Sequence, residues 1–209
     1  MLCAVACNED EAPAPRTLPA AQPEIAPAAP SQPGEQEAER ATLSIAGARG
    51  QAWARAVPRA DGGYDLESPD GTDLGKIKVE AGKVKLKDAS GATQAKVKSK
   101  DYGFKIYADE ETTLFKAKRK GAGFKIKGSE GNEVGELAVD GARGTIGTAR
   151  IEAKEAPEDG DAVIVTRDGA VVGKAGPGIA PRAALFLGMT EMSFEQRVAA
   201  MIHVEANQP

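Results

Sequence analysis

The sequence predicts a mainly β protein, an antiparallel barrel of about 10–13 strands built from 20-residue hairpin repeats, with a buried hydrophobic C-terminal helix. Three observations predict this fold: a pattern that recurs every 20 residues, glycines at the expected turns, and an apolar segment near the C-terminus. The composition agrees, because 24 Gly and only 4% aromatic residues among 209 favour many short turns over a helix-rich fold.

Self-comparison of the chain reveals five copies of one pattern. Four copies follow one another at 20-residue intervals without a gap, and the fifth comes after an interruption at 143–160. The copies span residues 63–78, 83–98, 103–118, 123–138 and 161–176. Each copy has the length and pattern of one β-hairpin, so the five copies predict ten strands.

Apolar residues alternate along the first strand of each copy, as in a strand with one buried face. Two columns carry them: Tyr64, Val84, Phe104, Phe124 and Ala162, and then Leu66, Leu86, Ile106, Ile126 and Ile164. The turn column holds Gly71, Gly91, Gly131 and Gly169, with Glu111 as the exception. Glycine supplies the positive φ that tight hairpin turns need, so these positions are expected to be the turns.

The second strand of each copy also alternates. Its inward positions are expected to be Ile77, Val97, Ala117, Leu137 and Ala175. Its outward positions are expected to be Lys76, Lys96, Lys116, Glu136 and Lys174. Segment 42–57 is expected to add two strands and segment 143–153 one more, and such a long sheet should close, because an open one leaves exposed edges. The alternative is an open hairpin meander or a short β-solenoid with the helices packed on one face.

The C-terminal segment is expected to fill the barrel. Residues 183–189 (AALFLGM) are apolar on every side, and a helix of that kind must be buried all round. Ser193 is then the expected N-cap of a second, amphipathic helix, with Gln196 completing a capping box. A barrel of this size has room for a central helix.

The N-terminus predicts a lipid anchor. Residues 4–7 (AVAC) resemble a bacterial lipobox, in which small or aliphatic residues precede a Cys that becomes lipidated. This resemblance implies that residues 1–7 are the remnant of a signal peptide with Cys7 as the lipidation site, and that the protein is anchored in a bacterial cell envelope, at the outer membrane or the periplasmic face. Residues 8–39 contain seven Pro and eight Ala, which predicts a disordered linker before a domain at 40–209.

The repeated hairpins and the apolar helix of residues 42–205 also resemble the LURP-one, tubby C-terminal and phospholipid-scramblase superfamily. The resemblance implies a closed barrel of about a dozen strands around a hydrophobic C-terminal helix. Members of the tubby family hold phosphoinositides with basic side chains. The resemblance rests on pattern and not on an invariant motif, so no specific phosphoinositide-binding residue is carried over.

The middle of the chain is basic. Residues 74–127 carry 14 Lys and one Arg against six acids, although the whole chain has a net charge of −4. The candidate face for an anionic ligand comprises Lys76, Lys83, Lys85, Lys87, Lys96, Lys98, Lys116 and Lys118. It would dock anionic lipid or an envelope polymer. The alternative is a solvated outer face whose Lys side chains protect sheet edges from aggregation.

Other chemistry is not indicated. No nucleophile–base pair, metal-ligand set or cofactor fingerprint is visible in the sequence, so no catalytic residue, metal or cofactor is predicted. The single His, His203, is expected on a surface or a helix face, and Trp53 is expected in the core. The acidic group at 158–161 is expected to be a polar loop. Nucleic acid is not an expected partner, because Tyr107 is the only aromatic residue interleaved with the exposed basic positions.

The sequence therefore predicts an envelope-anchored, non-enzymatic lipoprotein that acts as a binding or structural module and meets the membrane through its lipid anchor. The alternative is an anionic-lipid-binding or scramblase-like barrel that uses the basic strands within 74–127.

The first prediction concerns the anchor. Only six residues precede Cys7 and none is Lys or Arg, whereas a working signal has a basic start and a longer apolar stretch, so in-frame codons are expected upstream of Met1. When the full precursor is expressed in a bacterial host, Cys7 should carry lipid, and Cys7→Ser should release the protein from membranes. Cys3→Ser is the matched control and should leave the protein in the membrane fraction. Mass spectrometry that finds an unmodified Cys7 would contradict the prediction.

Overall fold

The computed structural model describes residues 41–48, 52–138 and 140–207, and the predicted lipidation site and linker lie outside them. Fourteen described antiparallel strands form one closed barrel, in which each strand pairs with its neighbours along the chain and β1 pairs with β14. The strands are β1 (Leu43–Gly47), β2 (Ala52–Pro58), β3 (Tyr64–Glu67), β4 (Asp73–Glu80), β5 (Lys83–Lys87), β6 (Thr93–Lys100), β7 (Gly103–Tyr107), β8 (Thr113–Lys120), β9 (Gly123–Gly128), β10 (Glu133–Ala138), β11 (Arg143–Ile146), β12 (Ala149–Ala156), β13 (Ala162–Arg167) and β14 (Ala170–Gly176). The predicted antiparallel barrel is confirmed, and the pairing of β1 with β14 excludes the open meander.

The strand number is fourteen because segment 143–153 lies in two strands where one was expected. Strands β11 and β12 pair directly, with Ile146 opposite Ala149. The two residues between them form a tight turn in which Gly147 has a φ of +57°. Glycine adopts this conformation without steric cost, so Gly147 is the sequence signal for the additional hairpin.

The first four repeats adopt the predicted alternation. Their inward columns are buried, apart from Tyr64, which is half-buried. The turn glycines Gly71, Gly91, Gly131 and Gly169 have φ values between +82° and +91°, as expected for hairpin turns. The predicted inward and outward positions of the second strand are also correct, since the inward residues are at most 1% exposed.

The fifth repeat differs by one residue along its first strand. Val163 and Val165 face inward and are buried, whereas Ile164 lies on the other face, opposite Lys154 and Lys174. The predicted inward position of Ile164 is therefore wrong. The cause is a shorter turn: Arg167 pairs with Ala170 across two residues, whereas Glu67 pairs with Asp73 across five. A slip of one residue exchanges the two faces of a strand.

A β-bulge recurs at one column of the repeat. In each of the five repeat hairpins, one residue of the second strand has no partner across the ladder. These residues are Leu74, Gln94, Leu114, Val134 and Val172, and all lie near the end of the barrel that carries the β3–β4 and β5–β6 turns, here called the distal end. Bulges re-aim side chains, and Leu74, Val134 and Val172 pack against the core.

Trp53 occupies the equivalent bulge of the β1–β2 hairpin. It was predicted to lie in the core, and that prediction is wrong. Its neighbours Ala52 and Ala54 pair with β1, but Trp53 has no partner there. The side chain is 37% exposed, and its ring lies 3.6 Å from that of Phe194, centroid to centroid. Trp53 therefore covers the start of the C-terminal helix from the distal rim.

Two helical segments fill the barrel. Helix α1 (Pro181–Ala184) continues into a 3₁₀ turn (Leu185–Gly188), and α2 (Phe194–Asn207) runs back through the lumen. Helix α1 and the 3₁₀ turn contact β12, β13 and β14, whereas α2 contacts β4 to β7. The predicted capping box is present: Ser193 N–H donates to Gln196 Oε1 at 3.0 Å, and Gln196 N–H donates to Ser193 Oγ at 3.3 Å. The predicted buried C-terminal helix is confirmed.

The helical segments at residues 181–207, here called the plug, pack closely against the inner face of the barrel. Leu185, Phe186 and Leu187 are at most 1% exposed, and the Phe186 ring centroid lies 5.6 Å from that of Phe104 and 6.3 Å from that of Phe124. A Cβ atom at Gly188 would lie 2.4 Å from Ile151 Cγ2. Only glycine allows the 3₁₀ turn to approach β12 this closely, so wall and plug are fitted to one another.

His203 lies on a face of α2, but it is buried inside the barrel and not at the surface. It is 2% exposed, its ring centroid lies 5.1 Å from that of Phe104, and its Nε2 is 3.3 Å from Ser99 Oγ. Its Nδ1 has no hydrogen-bond partner among the described residues. Burial lowers the pKa of His203 to about 4, because desolvation disfavours the charged form.

The second prediction concerns the plug. Phe186→Ala should lower the free energy of unfolding by about 3–5 kcal/mol, because it leaves a cavity where three phenylalanines meet. Val171→Ala, at a position that is 43% exposed, is the control and should change it by less than about 0.5 kcal/mol. Urea unfolding of both variants measures the difference. A loss below about 1 kcal/mol for Phe186→Ala would mean that the plug adds little to stability.

The third prediction concerns pH. Unfolded His203 takes up a proton near its ordinary pKa of about 6.5, whereas the folded residue stays neutral down to about 4. Folding stability should therefore fall as pH decreases from about 6.5 to about 4, with up to about 3 kcal/mol of the loss due to His203. His203→Leu should remove this part of the pH dependence, since the carboxylates titrate in both proteins. The measurement is the free energy of unfolding in urea at several pH values. If it falls equally with decreasing pH in both proteins, His203 takes up its proton in the folded state as readily as in the unfolded state.

Candidate anion-binding surface

The outer face of β4 to β9 forms a basic surface, here called the basic wall. Because inward and outward positions alternate, all 14 lysines of residues 74–127 point away from the core. The wall contains the eight predicted lysines: Lys76, Lys83, Lys85, Lys87, Lys96, Lys98, Lys116 and Lys118. The other six lysines follow the same alternation but were not in the predicted face: Lys78, Lys100, Lys105, Lys120, Lys125 and Lys127.

Lysines face lysines across the wall. Eight directly opposed pairs join the six strands: Lys76–Lys87, Lys78–Lys85, Lys83–Lys98, Lys85–Lys96, Lys98–Lys105, Lys105–Lys116, Lys116–Lys127 and Lys118–Lys125. Directly opposed side chains on antiparallel strands have Cβ atoms about 4.5–5.5 Å apart, so like charges there are destabilising. Pairs of opposite charge at these positions would stabilise the sheet. The observed pairs join lysine to lysine, so they concentrate positive charge on this face.

Five of these lysines form one uninterrupted row. Lys83, Lys98, Lys105, Lys116 and Lys127 lie side by side on five adjacent strands, and this set is called the lysine row below. Lys83 is opposite Glu80 on β4, and Lys127 is opposite Glu133 on β10, so an acid ends the row on each side.

Carboxylates compensate only part of this charge. Glu110, in the β7–β8 turn, accepts hydrogen bonds from Lys85 at 2.7 Å, Thr93 at 2.8 Å and Lys96 at 3.3 Å. The hydrogen bond from Lys85, followed by that from Thr93, lowers the pKa of Glu110 to about 2. Glu80, Glu133 and Glu136 pair with Lys83, Lys125 and Lys120 respectively.

Several lysines have no acidic partner. Within the described part of the chain, no ion pair involves Lys76, Lys78, Lys87, Lys98, Lys105, Lys116, Lys118 or Lys127. Lys116 donates to the Ser129 carbonyl at 3.1 Å, and Lys118 Nζ lies 5.5 Å from the centre of the Tyr102 ring. The lysine row therefore presents positive charge to whatever approaches the wall.

Closure of the barrel removes one alternative explanation for these lysines. Lysines on an edge strand block sheet-to-sheet association. Here β4 to β9 each pair on both sides, and the barrel itself closes between β1 and β14. Edge protection therefore cannot account for lysines in the middle of a closed sheet.

A groove continues the positive surface beyond β9. It has a volume of about 550 Å³, and Gly123 and Ala138 are among the residues that line it. Lys120, Arg143 and Arg150 line it, together with Glu136 and Asp140. The sequence did not predict Arg143 and Arg150, because they lie in the irregular segment between the fourth and fifth repeats.

The Ser99–His203 contact is the strongest candidate for catalytic chemistry in the described residues. A serine is activated by a base that is itself oriented by a third group. His203 Nδ1 lacks such a group in the described chain, and a His with a pKa of about 4 is a weak base near neutral pH. The contact is therefore better explained by helix packing.

Four further features of the described residues bear on function. The buried polar side chains are Gln196 and His203, and no group of three or more His, Cys, Asp and Glu side chains is placed to hold a metal ion. No helix among the described residues is both long enough and apolar enough to span a bilayer. In the predicted loop at 158–161, Asp159 pairs with Lys174 at 3.0 Å.

Comparison with known proteins leaves the family open. No family model matches the chain, and no curated protein matches it. One similar solved structure is the X-ray structure of a protein from Arabidopsis thaliana, which is 15% identical over 46% of this chain and 72% of its own, with a TM-score of 0.20. A likeness at that level carries no argument about function.

Proposed function

We propose that this chain is a non-enzymatic binding module of a bacterial cell envelope, anchored through a lipid on Cys7, whose basic wall docks onto anionic envelope material. The observation that carries the proposal is the set of eight directly opposed lysine pairs. These pairs cost folding stability. Binding an anion is a physical reason to keep them.

The distribution of charge supports docking through one side of the barrel. The basic wall occupies β4 to β9, whereas residues 128–209 carry 7 basic and 13 acidic residues. A surface with one sign of charge orients the molecule as it approaches a surface of the opposite sign. A lipid anchor adds to such docking, because stable attachment of a peripheral protein usually takes two signals.

The filled lumen favours docking over lipid scrambling. The inward faces of the described strands and the plug formed by α1 and α2 share one apolar core. Lipid transfer through a barrel needs a polar passage for the head group. The described lumen holds buried apolar side chains along most of its length, so the outer wall is the better candidate surface.

The fourth prediction tests the docking proposal. The full chain carrying Cys7→Ser is used, so that no lipid anchor contributes to binding. The double substitution Lys98→Glu and Lys105→Glu should abolish binding to both phosphatidylglycerol vesicles and polygalacturonate at low ionic strength, because it reverses two unpaired charges on the wall.

The matched control is Arg55→Glu with Lys154→Glu, which makes the same change in net charge on β2 and β12, away from the wall and from the groove beside it. It should retain most of the binding, as measured by vesicle sedimentation and by polymer-dependent retardation on gels. If the protein with an intact wall binds neither probe, the proposed function is wrong.

A further inference from the structure

We propose that the lysine row is a track for a linear polyanion, an acidic polysaccharide with one carboxylate on each sugar, rather than a docking point for a flat membrane. The inference rests on the proposed function and specifies its ligand. Three features of the row support it: its spacing, its curvature and the aromatic rings beside it.

The spacing of the row is set by the sheet. Adjacent strands lie about 4.7–4.9 Å apart, so the five lysines are attached to the backbone about 5 Å apart along a line of about 20 Å. A chain of hexuronate sugars advances by a similar distance per residue and carries one carboxylate on each. Ligand charges can therefore stay in step with the lysines from β5 to β9.

The curvature of the row favours a flexible line over a plane. The five strands make up more than a third of the fourteen in the barrel. A flat bilayer touches such a convex wall along a narrow zone, and the lysines at the two ends turn away from it. Barrel strands also tilt by about 35–45°, so a row that crosses them winds obliquely around the wall. A polymer can follow this path and meet all five ammonium groups.

The lysines at the centre of the row are available for a ligand. Lys98 and Lys105 have no ion pair in the described chain, and Lys98 is exposed. Mutual repulsion between opposed ammonium groups raises the free energy of the unbound wall. An anion lying along the row relieves that repulsion at several positions at once, so the binding free energy should grow with ligand length.

Two tyrosines flank the row at its middle strand. Tyr107 lies on the outer face of β7, two residues from Lys105, and Lys96 Nζ is 4.5 Å from its ring centre. Tyr102, in the β6–β7 turn, is 38% exposed. Exposed aromatic rings offer apolar faces against which the CH groups of sugars pack. A polyuronate therefore gains contacts here that an inorganic anion would not.

The fifth prediction, which tests this inference, uses the full Cys7→Ser chain and oligogalacturonides of increasing length. Affinity measured by titration calorimetry should rise with length until the oligomer spans five lysines, which corresponds to a pentamer, and should then level off. If the affinity does not depend on the length of the oligogalacturonide, the proposed track is wrong.

Two triple variants with the same change in net charge separate the row from the wall as a whole. The row variant carries Lys98→Gln, Lys105→Gln and Lys127→Gln, and the off-row variant carries Lys76→Gln, Lys78→Gln and Lys87→Gln. All six lysines lack ion pairs in the described chain. The row variant should lose about tenfold or more in affinity for a long oligogalacturonide, and the off-row variant less than about threefold.

Each other outcome has a distinct meaning. Equal losses in the two variants would show that net charge alone matters, and vesicle binding without oligogalacturonide binding would show that the partner is a membrane. Tighter binding of a single-stranded oligonucleotide would show that the ligand class is wrong. All three outcomes overturn the track but leave anion docking intact, whereas binding to no anionic probe overturns the proposed function as well.

Thermal unfolding monitors folding, and the row variant should be at least as stable as the parent, since it removes like-charge pairs.

Discussion

The space inside a fourteen-stranded sheet is the constraint on which the rest of the structure depends. Eight strands already make a barrel that inward side chains alone can fill, and fourteen enclose far more volume. Many inward side chains of the strands are also small, and Ala54, Ala95, Ala117 and Ala175 are among the buried residues. The helical segment at residues 181–204 supplies the missing volume. The barrel in turn gives residues 183–189 the burial that a helix apolar on all sides requires. Wall and plug are therefore stable together.

Most of this architecture could be predicted, because repetition makes weak local signals consistent. One alternating hairpin is ambiguous, but four gapless copies, three of them with glycine at the same turn position, identify strands, faces and turns. The prediction was wrong where the local signal was ambiguous or changed. The run from Ala162 to Val165 is apolar at every position, so only the turn length determines which face is buried. Trp53 looked like a core residue because hydrophobicity does not reveal a bulge.

The candidate site could be located but not resolved from the sequence. Alternation alone placed the predicted lysines on the outer face, and the charge of residues 74–127 identified the region. Which lysines are neighbours depends on the register across six strands, and that register places Lys105 and Lys127 in line with Lys83, Lys98 and Lys116. Lys105 stands alone between apolar residues in the sequence, so nothing local indicated its place at the centre of a row.

Period-two alternation also separates stability from binding in this barrel. Residues that fill the lumen and residues that form the wall occupy alternate positions on the same strands, so a substitution on one face leaves the other largely unchanged. Lys105, for example, lies between the buried residues Phe104 and Ile106. The plug supplies stability from inside, which allows the wall to carry opposed lysines that weaken the fold. Under the proposed function, an anion that bound only the folded barrel would relieve this repulsion, and the relief would add both to its affinity and to the stability of the complex.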